Sequence, residues 1–217
     1  MALNMETHRD WFEWHSPYAD PDSPLSRRLL FVKRLLRSAL LDCADSEPGI
    51  ISICAGQGAD VIEVLDELPA GIAPRARLVE LDPQNVRAAR THAAELDLSE
   101  RVSIHEGDAA SLEQYADVAP ANVVLACGVF GNIADQDVYA TIDLLPQLCK
   151  GDATVIWTRS RRAPDFTPSI RAYFQEQGFA EVEFIAPEDV EFTVGCNRYT
   201  NEPQPLDSSA RMFTFNV

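Results

Sequence analysis

Positive charge is in short supply in this chain of 217 residues. Its 18 Lys and Arg stand against 34 Asp and Glu, a net charge of −16. A field of that sign repels phosphate backbones, so no nucleic-acid partner is expected. Cysteines are few and unpaired in pattern: the five, at 43, 54, 127, 149 and 196, form no Cys-x-x-Cys. A disulfide scaffold or a zinc site has little support, no metal is expected, and a reducing cytoplasm is the simplest setting. No apolar run approaches the roughly 20 residues of a membrane helix, so no membrane partner is expected either. The start, MALNMETHRDWFEWH, lacks a basic stretch followed by an apolar one, and a secretory signal is not expected. Internal repeats and low-complexity segments are missing too.

The length suits one sizeable core. Residues 1–23 form an arm bearing Trp11, Phe12, Trp14, His15, Pro17, Tyr18 and Pro21. Disordered segments are poor in aromatics, so this arm reads as ordered. Ser23-Pro24 opens a helix, with serine as cap and proline at the first helical position. Leu25, Leu29, Val32, Leu36 and Ala39 follow at helical spacing, and Arg27, Arg28, Lys33, Arg34 and Arg37 fill much of the rest. Arm and helix (1–44) read as a lid belonging to the domain that follows (45–217).

From Gly49 onward strands alternate with helices. Strand-like runs lie at Ile50–Cys54, Ala76–Leu81, Val102–His105, Asn122–Cys127 and Ala153–Thr158. Helical patterns lie between them, at Asp60–Leu68, Pro83–Leu98, about Ser111–Tyr115 and Asp135–Cys149. This alternation predicts an α/β fold, a doubly wound, mostly parallel sheet with helices on both faces. After Arg159 come a helix at Thr167–Gln177 and strand-like runs at Glu181–Ile185, Phe192–Tyr199 and Arg211–Val217, with residues 200–210 as a loop. This last third is expected to add antiparallel strands at one edge.

Ligands of such a sheet bind at the carboxyl ends of its strands. The first strand ends in Cys54-Ala55-Gly56-Gln57-Gly58, where the glycines let the backbone approach a ligand and the next helix start offers free N–H groups. The second ends in Glu80-Leu81-Asp82-Pro83, with Glu80 placed 22 residues after Gly58, near the spacing of a ribose-binding carboxylate. Asp82 reads as a helix cap. The third strand ends in Glu106-Gly107-Asp108-Ala109, where Asp108 could accept from an exocyclic amine and Ala109 could offer its N–H. The fourth ends in Cys127-Gly128-Val129-Phe130-Gly131-Asn132.

Taken in order, these strand ends resemble the class I S-adenosylmethionine-dependent methyltransferases. The resemblance covers residues from about 45 to 217 and implies a seven-stranded Rossmann-like sheet with an antiparallel edge strand. It implies that Cys54, Ala55, Gly56 and Gly58 wrap the methionine end of S-adenosyl-L-methionine, that Glu80 holds the ribose, that Leu81 also touches the cofactor, that Asp108 with Ala109 meets the adenine, and that Cys127-Gly128 lines the methyl-donor pocket. DWFEWHSPYADPDSPLSRRL, CAGQGAD, VELDP and CGVFGNI together look more closely like a group of actinobacterial methyltransferase-like proteins, a likeness that names no substrate. The rival for this sheet, a dinucleotide-binding dehydrogenase, would need a third glycine at position 61, which is Val61.

Two positions depart from the family pattern. Cys54 stands where Asp or Glu is usual, and a thiol supplies no charge at neutral pH unless its pKa is depressed. As a small apolar core residue it needs no further role. Asp60 stands where a third glycine is common. It reads first as a cap or first-turn acid, and second as a carboxylate restored near the cofactor's ammonium.

The expected activity is methyl transfer to a small-molecule acceptor, the alternative being an inactive methyltransferase-fold protein that binds cofactor or acts as a scaffold. His15 is the candidate base for an acceptor that must lose a proton, with Trp14 and Tyr18 as lid walls. His8, His92 and His105 are less well placed. Arg28 or Arg27 could fork onto the cofactor carboxylate. Arg159, Arg161 and Arg162 could attract an anionic acceptor or be solvated. Asn132, Asn197 and Tyr199 are further acceptor-pocket candidates. Oligomeric state leaves no mark in the chain.

Overall fold

The computed structural model describes residues 17, 18 and 20–215. The first helix, α1 (Pro24–Leu41), begins as the cap rule requires: Ser23 Oγ accepts the Ser26 N–H at 3.1 Å, and Pro24 takes the first helical position. Val32, Leu35, Leu36 and Leu40 form its buried stripe. Burying each such side chain contributes about 1.5–3 kcal/mol.

Strands β1 (Gly49–Ile53), β2 (Arg75–Glu80), β3 (Val102–Glu106), β4 (Ala121–Ala126) and β5 (Cys149–Ser160) alternate with helices α2 (Ala59–Asp66), α3 (Pro83–Glu95) and α4 (Asp135–Leu144). Then come α5 (Thr167–Glu176), β6 (Phe179–Ile185) and β7 (Phe192–Tyr199). The seven strands lie in the order β3-β2-β1-β4-β5-β7-β6. All neighbours from β3 to β5 pair in parallel, and β7 runs antiparallel to both β5 and β6. The antiparallel strand is therefore one place in from the edge.

Alternation along each strand divides the core in two. Ile51, Ile53, Val124 and Ala126 face α4 and α5 with Phe130, Trp157 and Phe174. Ile50, Val123, Leu125 and Ile156 face α1, α2 and α3. The chain leaves β1 on one side toward β2 and β3, and on the other toward β4. The carboxyl ends of β1 and β4 thus flank the topological switch point, where such sheets open a crevice.

Three expectations change. The helix expected over Asp135–Cys149 stops at Leu144; a 3-10 turn, Leu145–Gln147, contains Pro146, which cannot donate to a helical ladder. Strand β5 then starts at Cys149 rather than Ala153. The run from Arg211 is no strand: it makes single bridges, Ser111 with Arg211 and Ile133 with Phe215. Its backbone is satisfied locally instead, the Met212 N–H by the Ala110 carbonyl at 2.8 Å and the Thr214 N–H by Asp137 Oδ2 at 2.9 Å. It is a strap across the loop ends, which accounts for an apolar pattern that joins no sheet.

Candidate functional site

A cavity of about 690 Å³ opens at the carboxyl ends of the strands around the switch point. Roughly 300–1,000 Å³ is the range of small-molecule sites. Its floor is the turn after β1. Cys54, Gly56 and Gly58 all have positive φ, at 53°, 57° and 69°. Gly58 is required twice over, because a Cβ there would lie 2.6 Å from Leu78 Cδ2 in a backbone conformation that L residues avoid. Gly58 is also the N-cap of α2 and offers no side-chain oxygen to the helix start.

Glu80, at the end of β2, is 8% exposed and tied at both oxygens. Oε2 accepts the Gly56 N–H and Oε1 the Asp82 N–H, each at 2.8 Å. One carboxylate thus locks the β1 turn to the β2 turn. Burial pushes its pKa upward, and the two N–H bonds oppose that rise. Asp82 caps α3, accepting from the N–H groups of Gln84 and Asn85 at 2.7 and 3.2 Å. Leu81, 64% exposed, is an apolar rim beside it.

After β3, Asp108 Oδ1 accepts the Ala110 N–H at 3.1 Å, and Oδ2 accepts from Arg211 of the C-terminal strap at 2.5 Å. Ala109 is buried, and its carbonyl accepts the Tyr115 hydroxyl at 2.8 Å. After β4, the Gly128 N–H is donated to Thr158 Oγ1 at 2.8 Å, and its carbonyl accepts from Asn132 Nδ2 at 2.6 Å. A Cβ on Gly128 would meet nothing within 4 Å, so the cavity is open there.

The far wall comes from the N-terminal part. Tyr18 and Arg28 line the cavity, with Arg28 donating to the Tyr18 hydroxyl at 3.1 Å. Burial raises the Tyr18 pKa. Arg27 instead forks onto the exposed Asp189. Asp60 and Cys127 complete this side. Burial pushes the Asp60 carboxyl up to about 6, and it pushes the Cys54 and Cys127 thiols upward, so both cysteines stay neutral.

The cavity thus brings together Cys54, Ala55, Gly56, Gly58, Asp60, Glu80, Leu81, Asp108, Ala109, Cys127, Gly128, Arg28 and Tyr18. It does not bring in the other candidates that the structure describes. Asn132 props the Gly128 loop from behind. Arg159 is a brace, bonded to the Phe130 carbonyl at 2.5 Å and to Asp135 at 2.9 Å. Arg161 donates to the carbonyls of Pro187 and Val190, and Arg162 pairs with Glu191. Asn197 and Tyr199 are buried, the first accepting from Trp157 Nε1 at 2.9 Å and the second donating to the Glu202 carbonyl at 2.9 Å. Their displacement follows from strand direction: β7 is antiparallel and runs away from the cavity, so Asn197 pairs with Val155 in mid-β5 and Tyr199 lies farther on, paired with Phe179 of β6. His15 and Trp14 lie outside the described residues. Phe130 is packed against Trp157 and Phe174 and does not enter the cavity, and Trp11, like Trp14, lies outside the described residues.

Several lining residues were not singled out. Asn85, Ala88 and His92 form one stripe of α3 at spacings of three and four, a signal present in the sequence. His92 lies not mid-helix but in the last turn of α3, and it lines the cavity. Gln57 reaches Asn85 at 3.4 Å. Phe215 arrives on the strap. Among the described residues no cluster of His, Cys, Asp and Glu could hold a metal ion, and no helix is long and apolar enough to cross a membrane.

The fold is shared with solved structures. An RNA methyltransferase from Salinibacter ruber in complex with S-adenosyl-L-homocysteine is 20% identical, with a TM-score of 0.53 over 82% of this chain and 95% of that one. Precorrin-6y C5,15-methyltransferase from Geobacter metallireducens is 16% identical, with a TM-score of 0.56 over 78% and 87%. The [4+2]-cyclase SpnF is 13% identical, with a TM-score of 0.64 over 83% and 85%. At these identities the likeness is one of fold, and a fold hosts more than one chemistry. No curated protein sequence matches the chain. Residues 25–176 match the family model described as "Putative methyltransferase". This match spans α1 through the end of α5 and takes in the strand ends that build the cavity; the chain belongs to that methyltransferase family and carries the sheet of the class I S-adenosylmethionine-dependent enzymes.

Proposed function

We propose that the cavity binds S-adenosyl-L-methionine and that the chain transfers its methyl group to a small-molecule acceptor. The observation that carries this reading is Glu80. It is a buried carboxylate, pinned by two backbone N–H groups at the mouth of the β2 turn, with lone pairs left over for vicinal hydroxyls. The backbone of Cys54 to Gly58, left-handed at Cys54, Gly56 and Gly58, would wrap the methionine end. Arg28 offers a fork to the carboxylate. Leu81 would cover one face of the adenine, and Ala109 with Asp108 would meet its edge.

The cofactor supplies an activated methyl on sulfur, and the acceptor's electron pair displaces it in line while the C–S electrons remain with sulfur. The chain's task is to position the two partners and keep water away. Cys127 and Gly128 border the space where the methyl would lie, and the open volume over Gly128 admits an acceptor. Tyr18 closes the opposite side. An acceptor with a labile proton needs a base, and His15 of the N-terminal arm is our candidate. The acidic balance favours a small acceptor over a nucleic acid. With Arg159, Arg161 and Arg162 all engaged elsewhere, an anionic acceptor has no support from them. The wider setting we propose is the cytoplasm.

Calorimetric titration of the chain with S-adenosylmethionine, S-adenosylhomocysteine and NAD tests the reading. Micromolar binding of the first two and none of NAD is expected. Binding of NAD alone, or of none, overturns it.

A further inference from the structure

Five carboxylates line the cavity: Asp60, Glu63, Glu80, Asp82 and Asp108. Four are committed. Glu63 pairs with Lys33 at 2.5 Å, Glu80 is held by two N–H groups, Asp82 caps α3, and Asp108 pairs with Arg211. Asp60 is different. Its Oδ1 accepts the neighbouring Val61 N–H at 2.9 Å, and among the described residues no cation lies within ion-pair distance of it. Gly58 holds the cap of α2, and Asp60 is the acid of the helix's first turn. Such a carboxylate, partly buried in a cavity wall, is only partly compensated, and burial outweighs the backbone N–H bonds and the Arg28 charge that favour its ionised form.

Cys54 cannot share an anionic role, since burial keeps its thiol neutral. Asp60 sits where the first turn of α2 meets the Cys54–Gly58 backbone, with the charge of Arg28 bearing on it from α1. A carboxylate and a guanidinium on neighbouring walls are the complement of an α-amino acid, ammonium to one and carboxylate to the other.

Resting on the cofactor reading above, we infer that Asp60 is the residue that recognises the α-ammonium of the ligand's amino-acid end. It stands in for a carboxylate at the end of β1, where this chain has Cys54, and selects ligands that carry the amine.

The test compares S-adenosylhomocysteine with its deamino analogue, which keeps the carboxylate and lacks only the amine. The full chain and its D60N variant are titrated with both by calorimetry. The unaltered chain is expected to prefer the amine-bearing ligand by about tenfold or more, the scale of one charge-assisted bond. D60N is isosteric and keeps an acceptor for the Val61 N–H. It should lose that preference while binding the deamino analogue within about twofold of the unaltered chain. Asp60→Glu, which keeps the charge, should retain much of the preference. An unchanged preference in D60N overturns the inference, as does equal loss of both ligands in a variant whose circular dichroism is intact. If the unaltered chain binds neither ligand, the cofactor reading itself fails.

Discussion

The two walls of the cavity are built on opposite principles. On the β2 and β3 side every carboxylate is held: Glu80 by the Gly56 and Asp82 N–H groups, Asp82 by the start of α3, Asp108 by Ala110 and Arg211. On the side of β1, β4 and α1 stand two neutral thiols, a phenol bonded to an arginine, and Asp60. The first wall is pre-organised, so little ordering is left for binding to accomplish. The second holds a charge whose natural compensation is a ligand. The difference suggests that the first wall recognises what all ligands of this site share and the second discriminates among them.

The largest expected effect comes from removing the anchor of the first wall. Glu80→Ala leaves two backbone N–H groups without their acceptor, at about 1–3 kcal/mol each, and takes away the proposed ribose contact. Binding of S-adenosylhomocysteine should fall by about a hundredfold or more in calorimetry. Affinity that survived unchanged would mean the first wall is not the shared one. Gly58→Ala attacks the floor common to both walls. Its φ of 69° and a Cβ placed 2.6 Å from Leu78 Cδ2 should cost about 1–3 kcal/mol in urea unfolding. Both ligands of the discriminating pair should weaken together.

Asp60 supplies the prediction that separates the walls most sharply. Its carboxyl is raised from 3.8 to about 6. Between these values the folded chain holds a proton that the unfolded chain has released, so folding loses stability as pH rises through about 6. The cost above that pH reaches about 3 kcal/mol at most. D60N should therefore be more stable than the unaltered chain at about pH 8, with the advantage gone below about pH 4. The groups facing Asp60 do not reverse this sign: Arg28 lowers its pKa, Glu63 of its own helix raises it, and burial outweighs both. Tyr18 and Cys127, the neighbours from the arm and from β4, stay neutral throughout, each with its pKa raised by burial. Urea midpoints across pH check this. A D60N variant that is less stable at pH 8 would show that the carboxylate has a structural partner after all.

What the sequence displayed follows the same division. Caps, glycines and strand ends are local features, and they located β1 to β4, the Asp82 cap and eleven further residues that line the cavity. Features set by distant parts of the chain were not legible. The antiparallel direction of β7 was expected, but its register was not legible: pairing Asn197 with Val155 sets that residue in mid-sheet, away from the cavity. Nothing near Arg159 says that Asp135 and the Phe130 carbonyl await it. The tail alternates like a strand, yet its partners are single residues of two loops. His92 shares a stripe of α3 with Asn85 and Ala88, a pattern legible in the spacing of the sequence.

The smallest expected effect belongs to that tail. Arg211 pairs with Asp108 at 2.5 Å, but both side chains are about half exposed, at 50% and 43%. Solvent screening limits such a pair to about 0.2–1 kcal/mol. Arg211→Ala should shift the unfolding midpoint barely, and the Met212 N–H bond to Ala110 should keep the strap in place. Its effect on binding is the informative part. If Asp108 receives the adenine amine, it must share that role with Arg211, and freeing it should leave affinity for S-adenosylhomocysteine unchanged or raise it by up to about threefold. A tenfold loss would mean that Arg211 itself orients Asp108, and the first wall would then extend onto the strap.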